Sequence, residues 1–249
     1  MVLRALSGFA VGVTTAEATE LNARLSDEGA EVVVGAVMAG SSGDRTAQQD
    51  DSGSGERLVA VVADGGVDAV VFTSVAAVDA FLDLAGTGGR LSRIRRRVDA
   101  GETVVACAGD VTTTRARAAG FDRCLGCADG RPSSLVAALV AEFRSRTTTV
   151  RLGDGTCLTV QGSIVIVDGA APISLTSRER ALLDALARRA GGVVAKRTLL
   201  DEIWAGDSDG HVVEVTVARL RRRLGRGGAA IETVLRRGYR LTGSVPIGD

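Results

Sequence analysis

The stretch VEVTVARLRRRLGRGG, residues 213–228, carries five arginines beside regularly spaced valines and leucines. At about 100° per residue, Val217, Leu220 and Leu224 fall within about 40° of Val213, so a helix here has one apolar stripe. The side opposite the stripe carries His211, Val215, Ala218, Arg219 and Arg222, with Thr216, Arg221 and Arg223 at its flanks. Guanidinium groups pair with phosphates and with guanine edges, so the chemistry of this side is the binding of a polyanion.

The charge pattern of this helix distinguishes a binding face from an ordinary solvated one. A charge run usually lies on a solvated face, and such a face interleaves Glu with Arg at i+4. Here the only acid is Glu214, at the flank. The pattern therefore favours contact with nucleic acid. We predict that Arg219 and Arg222 face bases, Arg221 and Arg223 face phosphates, and Arg226 faces solvent.

Catalytic and metal chemistry have few candidates. Cys124 and Cys127 form the only CxxC pair, and Cys107, Cys157 and His211 are not spaced as further zinc ligands. We predict buried reduced thiols, with a redox pair as the alternative. A nucleophile system would need His211, the only histidine, and the Walker, HExxH and dinucleotide motifs are absent. The sequence predicts no catalytic residue, no bound metal and no cofactor.

Charge is unevenly distributed along the 249 residues, whose composition of 45% hydrophobic and 24% charged residues is typical of globular proteins. Residues 177–243 contain 14 Arg or Lys and 8 Asp or Glu, a balance of +6, and the remainder carries −6. This asymmetry indicates that one end meets a polyanion. The sequence has no apolar run of about 20 residues, and its first residues, with one Arg and a broken apolar run, lead us to expect no secretion signal. We therefore expect no membrane contact and a cytoplasmic location.

The first part of the chain, residues 9–145, alternates between short Val-rich runs and helical patterns. Continuous apolar strands between helices indicate parallel pairing with both faces of the sheet covered. We predict a five-stranded, flavodoxin-like doubly wound α/β lobe over residues 1–147. Residues 39–56, AGSSGDRTAQQDDSGSGE, lose all periodicity and are predicted to form a mobile loop, with a helix from Arg57.

Small and hydroxyl-bearing residues follow three of the predicted strands. They are Thr14 and Thr15, then Thr73 and Ser74, then residues 109–112. Ligands of doubly wound sheets bind at the carboxyl ends of the strands, and two of these groups precede helix N-termini, which favours an anion site. The alternative is that these residues only cap helices, with Thr73 or Ser74 as one N-cap and Asp110 as another.

The second part of the chain has a different pattern. From residue 148, short strands are divided by Gly-Asp-Gly, Gln-Gly and Asp-Gly turns, which indicate an antiparallel ribbon. Three helical patterns follow, SRERALLDALARRAGG, KRTLLDEIW and residues 211–224, and IETVLRRGYRLTG closes as two strands. These are the parts of an α+β winged helix-turn-helix, which we predict over residues 148–249 with the arginines on the third helix.

The motifs ISLTSRERALLDAL, LLDEIW, VVEVTVARLRRRLG and IETVLRRGYRL resemble the OmpR-type family of winged helix-turn-helix domains in order and spacing. The resemblance implies binding to direct repeats of double-stranded promoter DNA, usually as a homodimer. It implies that the third helix enters the major groove and that the wing lies near the minor groove. By position, it implies a base-reading Arg219, with Thr216 and Arg221 nearer the DNA backbone, and a phosphate contact for Thr233.

The wing departs from this family. Leu235 stands where the resemblance leads us to expect an arginine at the minor groove, and Arg236 or Arg237 is predicted to replace it. The resemblance also implies that the loop at residues 205–210 contacts RNA polymerase.

The motifs VDAVVFTSVAAVDAFLDLA, VVACAGDVTTTRARAAGF and PSSLVAALVAEF resemble one lobe of uroporphyrinogen-III synthase, over roughly residues 8–145. That family pairs two such lobes around a cleft and holds the carboxylates of a linear tetrapyrrole. Together with Thr14 of the first strand, the resemblance implies a site for an anionic effector at Thr73, Ser74, Gly109, Val111 and Thr112. Only one lobe fits before residue 145, and Asp110 replaces the turn proline with a negative charge. We therefore do not expect synthase activity.

A phosphoacceptor receiver domain shares the predicted topology. It needs an acid pair after the first strand, an Asp closing the third and a Lys after the fifth. The corresponding residues here are Thr15 with Ala16, and Thr73, and the only lysine is Lys196, in the second part of the chain. Switching by phosphorylation is therefore disfavoured.

Our leading hypothesis is a cytoplasmic, DNA-binding transcription regulator whose degenerate synthase-like lobe serves as a sensor or only dimerises. One alternative is a uroporphyrinogen-III synthase with an appended DNA-binding domain, its cleft completed by dimerisation. The other is an atypical response regulator that lacks the phosphoacceptor.

Overall fold

The structure is a computed structural model that describes residues 4–15, 17–37, 48–204 and 209–244. The chain divides into two compact units, residues 2–145 (the N-terminal unit) and residues 146–249 (the C-terminal unit). Among the described residues, no helix has the length and apolar character that a membrane crossing requires.

The N-terminal unit is a parallel sheet of five strands in the order β2-β1-β3-β4-β5. Its elements are β1 (Ala10–Val13), α1 (Thr19–Asp27), β2 (Glu31–Val34), α2 (Gln48–Asp64), β3 (Ala69–Phe72), α3 (Val75–Thr87), α4 (Leu91–Asp99), β4 (Val104–Ala108), α5 (Asp110–Ala118), β5 (Cys124–Cys127) and α6 (Pro132–Ser145). This order is that of flavodoxin-like sheets, so the predicted doubly wound lobe is confirmed.

Both faces of this sheet are covered, which explains the unbroken valine runs of β3 and β4. Helices α1 and α6 cover one face, where Phe9 stacks on Phe143 with ring centroids 4.3 Å apart. Helices α2 to α5 cover the other, where Phe72 packs edge-on against Phe81 at 5.2 Å. A strand buried on both sides has no polar alternation, so its sequence is continuously apolar.

The predicted loop at residues 39–56 is wrong in its second half. Residues 48–56 belong to α2, which begins at Gln48 rather than Arg57. Gly55 and Ser54 pack closely against the preceding segment: a Cβ on Gly55 would lie 2.9 Å from the Ala36 carbonyl oxygen, and Ser54 Oγ accepts a bond from the Ala36 amide at 3.1 Å. Tertiary contacts thus outweigh the weak helix propensity of this segment. Residues 39–47 lie outside the described residues.

The C-terminal unit is built from two antiparallel sheets and three helices. Its elements are β6 (Thr148–Leu152), β7 (Cys157–Gln161), β8 (Ile164–Val167), β9 (Ile173–Ser174), α7 (Ser177–Ala187), β10 (Val193–Val194), α8 (Lys196–Trp204), α9 (His211–Leu224), a 3₁₀ segment (Gly225–Ala230), β11 (Ile231–Val234), β12 (Gly238–Leu241) and β13 (Gly243–Ser244). The strand orders are β13-β6-β7-β8-β9 and β10-β12-β11.

One hydrophobic core joins these elements. Leu182, Leu199 and Leu220, from the three helices, are fully buried together with Val150 and Leu158 of the ribbon. The hairpin β11–β12 is the wing, and β10 adds a third strand to it. The predicted winged helix-turn-helix is confirmed, although the two-residue strands β10 and β13 are too short to leave a sequence pattern.

The cysteines do not form the redox pair that CxxC spacing allows. Cys124 packs with Cys107 on one face of the sheet, whereas Cys127 is buried on the other. Residues three apart on a strand point to opposite faces, so Cys124 and Cys127 cannot meet. Burial raises the pKa of Cys107 from its ordinary 9.0 to about 12 and raises that of Cys127. Cys157 is only half-buried.

We predict that native protein at pH 8 shows one fast thiol, Cys157, and three slow ones when treated with a thiol-reactive dye. Raised pKa values favour the protonated thiol in the folded state, so the stability they contribute is complete below about pH 9 and is lost as pH rises toward 12. Dye release against time counts the thiols, and Cys157→Ser should remove the fast phase. Two fast thiols in the native protein would contradict this arrangement.

Candidate nucleic-acid interface

Helix α9 lies with its apolar stripe in the core and its arginines outside. Val213, Val217, Leu220 and Leu224 are all buried, which confirms the predicted stripe. The residues exposed on the helix are His211, Glu214, Ala218, Arg219, Arg222 and Arg223, while Val215, Thr216 and Arg221 are half-buried. The helix therefore presents cations to solvent along the side that does not pack.

The four arginines of α9 differ in what their side chains contact. Within the described residues, the side chains of Arg219 and Arg222 form no hydrogen bond or ion pair, so their guanidinium groups are available to a ligand. Arg221 is instead engaged: its Nε donates to the Ile231 carbonyl at 2.8 Å and its Nη2 donates to Thr233 Oγ1 at 2.9 Å. Arg221 and Thr233, both predicted near the DNA backbone, thus join α9 to strand β11 of the wing.

Arg223 contacts the first turn of α7. Its Nε lies 3.3 Å from Glu179 Oε1, and its Nη1 donates to the Ser174 carbonyl at 2.5 Å. Glu179 is 4% exposed, and its Oε2 accepts from the backbone N–H of Thr176 at 2.9 Å. Thr176 in turn accepts from the Glu179 amide at 3.4 Å, which completes a capping box. Glu179 is not among the residues predicted from the sequence, although the TSRE motif carries the capping signature.

The one acid on α9 is neutralised by its neighbours. Lys196 Nζ, on α8, lies 2.6 Å from Glu214 Oε1, and His211 Nδ1 lies 3.2 Å from Glu214 Oε2. The hydrogen bond from Lys196, and then that from His211, hold the pKa of Glu214 below its usual range. The same contact raises the pKa of Lys196. Glu214 therefore adds little negative charge to the arginine side.

A groove of about 590 Å³ runs along this side of α9. It is lined by Thr176, Arg178, Glu179, Trp204, His211, Val212, Val215, Thr216, Arg219, Arg222 and Arg223. The Arg178 guanidinium lies 6.0 Å from the Trp204 ring centroid. Trp204 Nε1 is buried without a hydrogen-bond partner among the described residues. Arg178 of α7 and Trp204 of α8 are not among the residues predicted from the sequence.

The wing ends in three exposed residues, Leu235, Arg236 and Arg237. Strands β11 and β12 pair up to Val234 and Gly238, and the Arg237 amide donates to the Val234 carbonyl at 2.9 Å. Arg236 has φ +61°, which non-glycine residues rarely adopt. Arg236 and Arg237, the residues predicted to replace the arginine expected at the position of Leu235, thus both lie at the tip of the wing. Of the loop predicted to contact RNA polymerase, residues 205–208 lie outside the described residues.

Some predicted ligand residues of the N-terminal unit are hydrogen-bonded or buried within the fold, and the others are exposed at least in part. Thr14 is buried and its Oγ1 donates to the Val71 carbonyl at 2.9 Å, and Ser74 Oγ accepts from the Ala77 amide at 3.2 Å as the N-cap of α3. Thr112 is also buried. Thr73 and Gly109 are half-buried, and Val111 is 74% exposed. The N-cap of α5 is Gly109, at φ +84°, rather than the predicted Asp110.

Comparison with known proteins finds one family match within each unit. Residues 170–241 match the family described as "Transcriptional regulatory protein, C terminal". Residues 19–137 match "Uroporphyrinogen-III synthase HemD". Both resemblances drawn from the sequence are confirmed.

Curated relatives and solved structures also match parts of the chain. The two-component response regulator PhoP of Pseudomonas aeruginosa is 40% identical over 75 residues, which are 28% of this chain and 33% of that protein. The transcriptional regulatory protein CutR of Streptomyces coelicolor is 41% identical over 71 residues, 28% of this chain and 32% of that protein. The chain thus spans about a third of the length of these relatives.

Among solved structures, the DNA-binding domain of E. coli CadC is 27% identical, with a TM-score of 0.34, over 39% of this chain and 94% of that one. The chain thus matches two family models in turn, that of the uroporphyrinogen-III synthases over residues 19–137 and that of the C-terminal domains of transcriptional regulatory proteins over residues 170–241.

Proposed function

We propose that this protein is a transcription regulator that binds promoter DNA through its C-terminal unit, with α9 in the major groove and the wing at the minor groove. The observation that carries the proposal is the position of Arg219 and Arg222, exposed and unpaired among the described residues, opposite a fully buried stripe. The acid of this helix is neutralised by Lys196. A cationic side of this kind gains affinity by releasing counterions from DNA.

The test is to map the genomic DNA bound by the full chain and then titrate the purified protein with the recovered duplex at several salt concentrations. A steep fall in affinity with salt, together with preference over a scrambled duplex, supports the proposal. Equal affinity for the scrambled duplex would contradict sequence-specific binding and would indicate only a nonspecific cationic surface. Genes beside the bound sites would also indicate the effector class.

Arg219→Ala should weaken binding to the mapped duplex by about 1–3 kcal/mol and relax the base preference at one position, because a base-reading arginine pairs with a guanine edge. Fluorescence anisotropy on the mapped duplex and on single-base variants measures both effects. Arg226→Ala is the matched control, since it removes the same charge from the 3₁₀ segment beyond α9. Unchanged affinity for Arg219→Ala would remove this residue from the reading site.

Assembly and location extend the proposal. We propose a homodimer on two direct half-sites in the cytoplasm, with the loop at residues 205–210 facing RNA polymerase, on the strength of the OmpR-type resemblance. Duplexes with one half-site, or with half-sites moved by half a helical turn, test the dimer. Dimeric binding requires both half-sites on the same side of the DNA.

We further propose that the N-terminal unit binds an anionic effector at the carboxyl edge of its sheet. The support is the exposure of Val111 and the partial exposure of Thr73 and Gly109 beside the N-termini of α3 and α5. Thermal shift against tetrapyrrole precursors and small dicarboxylates tests it, because a ligand of the folded state raises its stability. The synthase alternative is tested in the same samples by adding hydroxymethylbilane; type III product would establish an enzyme.

A further inference from the structure

Leu235 at the wing tip is the most solvent-exposed large hydrophobic residue of the described chain, at 82%. Leucine is ordinarily withdrawn from water, and a single exposed one needs no explanation on its own. This one lies at the end of a projecting hairpin, in an otherwise cationic tip. Its position, rather than its exposure alone, indicates a role.

The backbone of the wing holds Leu235 outward. Pairing of β11 with β12 up to Val234 and Gly238 leaves only three residues for the turn, which the Arg237 amide closes on the Val234 carbonyl. Arg236 occupies the turn position with positive φ, where glycine or asparagine is the usual residue. Backbone strain of this kind concentrates at functional sites. The root of the hairpin is fixed to α9 by Arg221, so the tip has a defined position relative to the arginine side.

The charges around Leu235 match a polyanion. Arg236 and Arg237 follow it and are exposed. The acid of the wing, Glu232, is paired with Arg240 at 2.6 Å on the neighbouring strand. Two copies of this tip would bring four arginines together, which disfavours Leu235 as a contact between copies. A narrow groove between two phosphate chains accommodates both the leucine and its flanking cations.

We propose that Leu235 is an apolar wedge that enters the DNA minor groove and kinks the duplex at a flexible pyrimidine–purine step. Leucine is among the side chains that partly unstack base steps from the minor groove, and such steps deform most easily. Arg236 and Arg237 then contact the phosphates on either side. The inference rests on the proposed DNA-binding function. It adds a preference for deformable sequence beneath the wing to the base reading by α9.

The experiment uses the full chain and the mapped duplex, labelled at both ends for energy transfer and carrying 2-aminopurine under the wing. With the Leu235→Ala protein, the duplex should lose most of its bend and most of the change in 2-aminopurine fluorescence. The substitution should weaken binding about tenfold, as expected for a poorly fitted step, with an unchanged salt slope because no charge is lost. Leu235→Arg should regain affinity and steepen the salt slope by about one, without the bend. Val34→Ala, an exposed valine on β2, is the matched control.

A Leu235→Ala protein that bends and binds the duplex as the parent does would overturn the wedge. So would a variant that changes only the oligomeric state in light scattering, since Leu235 would then contact a second copy. Either result leaves the proposed function standing if Arg219→Ala still weakens binding. If the parent protein itself shows no sequence preference or salt dependence, the proposed function fails instead.

Discussion

Gly238→Ala is expected to destabilise the C-terminal unit by about 3 kcal/mol or more and to abolish specific DNA binding. Gly238 opens strand β12 at φ +136°, a conformation that residues with a Cβ rarely adopt. A Cβ there would overlap the Val194 carbonyl oxygen and lie 2.9 Å from Ala195 Cα. Both are backbone atoms of the β10 segment, so no side-chain rotation relieves the overlap. The wing would have to separate from β10.

Urea unfolding followed by tryptophan fluorescence measures the effect on this unit alone, because Trp204 is the single tryptophan of the chain. Gly153→Ala is the control: it lies in the turn between β6 and β7, has no positive φ, and its added Cβ would meet nothing within 4 Å. That change should alter stability by less than about 0.5 kcal/mol. Equal urea midpoints for Gly238→Ala and Gly153→Ala would show that packing against β10 does not restrict residue 238 of the wing.

Arg223→Ala is expected to cost about 2 kcal/mol of stability and to leave the salt slope of DNA binding unchanged. The substitution strands the buried Glu179 carboxylate, and breaking a buried pair costs about 3–5 kcal/mol. The lower value applies because the Arg223 side chain is 46% exposed and Thr176 still donates to Glu179. We propose that Arg223 positions α9 against the N-terminus of α7 rather than contacting phosphate.

Arg222→Ala is the matched comparison, since it removes the same charge one residue away. It should change stability by less than about 0.5 kcal/mol and lower the salt slope by about one, as expected for a lost phosphate or base contact. Trp204 fluorescence in urea and anisotropy across salt concentrations separate the two effects. If Arg223→Ala instead lowered the salt slope of DNA binding and left the stability unchanged, Arg223 would contact DNA and not position α9.

The course of α9 could be predicted from its sequence, whereas the partners of its arginines could not. The stripe from Val213 to Leu224 repeats with the helical period, and that period alone fixes which side packs. The partners are set by tertiary structure: Arg223 reaches Ser174, 49 residues away, and Arg221 reaches Ile231 across the 3₁₀ segment. No periodicity encodes such contacts.

The N-terminal unit shows the same limit. The valine runs and helical periods were sufficient to predict the strand order of a doubly wound sheet, because few topologies are compatible with that pattern. The side chains at its carboxyl edge were ambiguous by type, since a hydroxyl binds a ligand, caps a helix or bonds a neighbouring strand equally well. The structure assigns Ser74 to capping and Thr14 to the Val71 carbonyl. The sequence predicts a helix only from Arg57, although α2 begins at Gln48, because the glycines of residues 48–56 are typical of loops.

The contact of Arg221 with Ile231 and Thr233 has a consequence for operator DNA. The Arg221 side chain joins α9 to the wing strand, so the offset between α9 and the wing is set within the protein. In the proposed complex, a duplex whose grooves do not match that offset must be over- or underwound to meet both elements. The cost of that twisting falls on the DNA and depends on its sequence and on supercoiling. For that complex, we therefore expect torsional stress in the chromosome to influence which promoters are occupied.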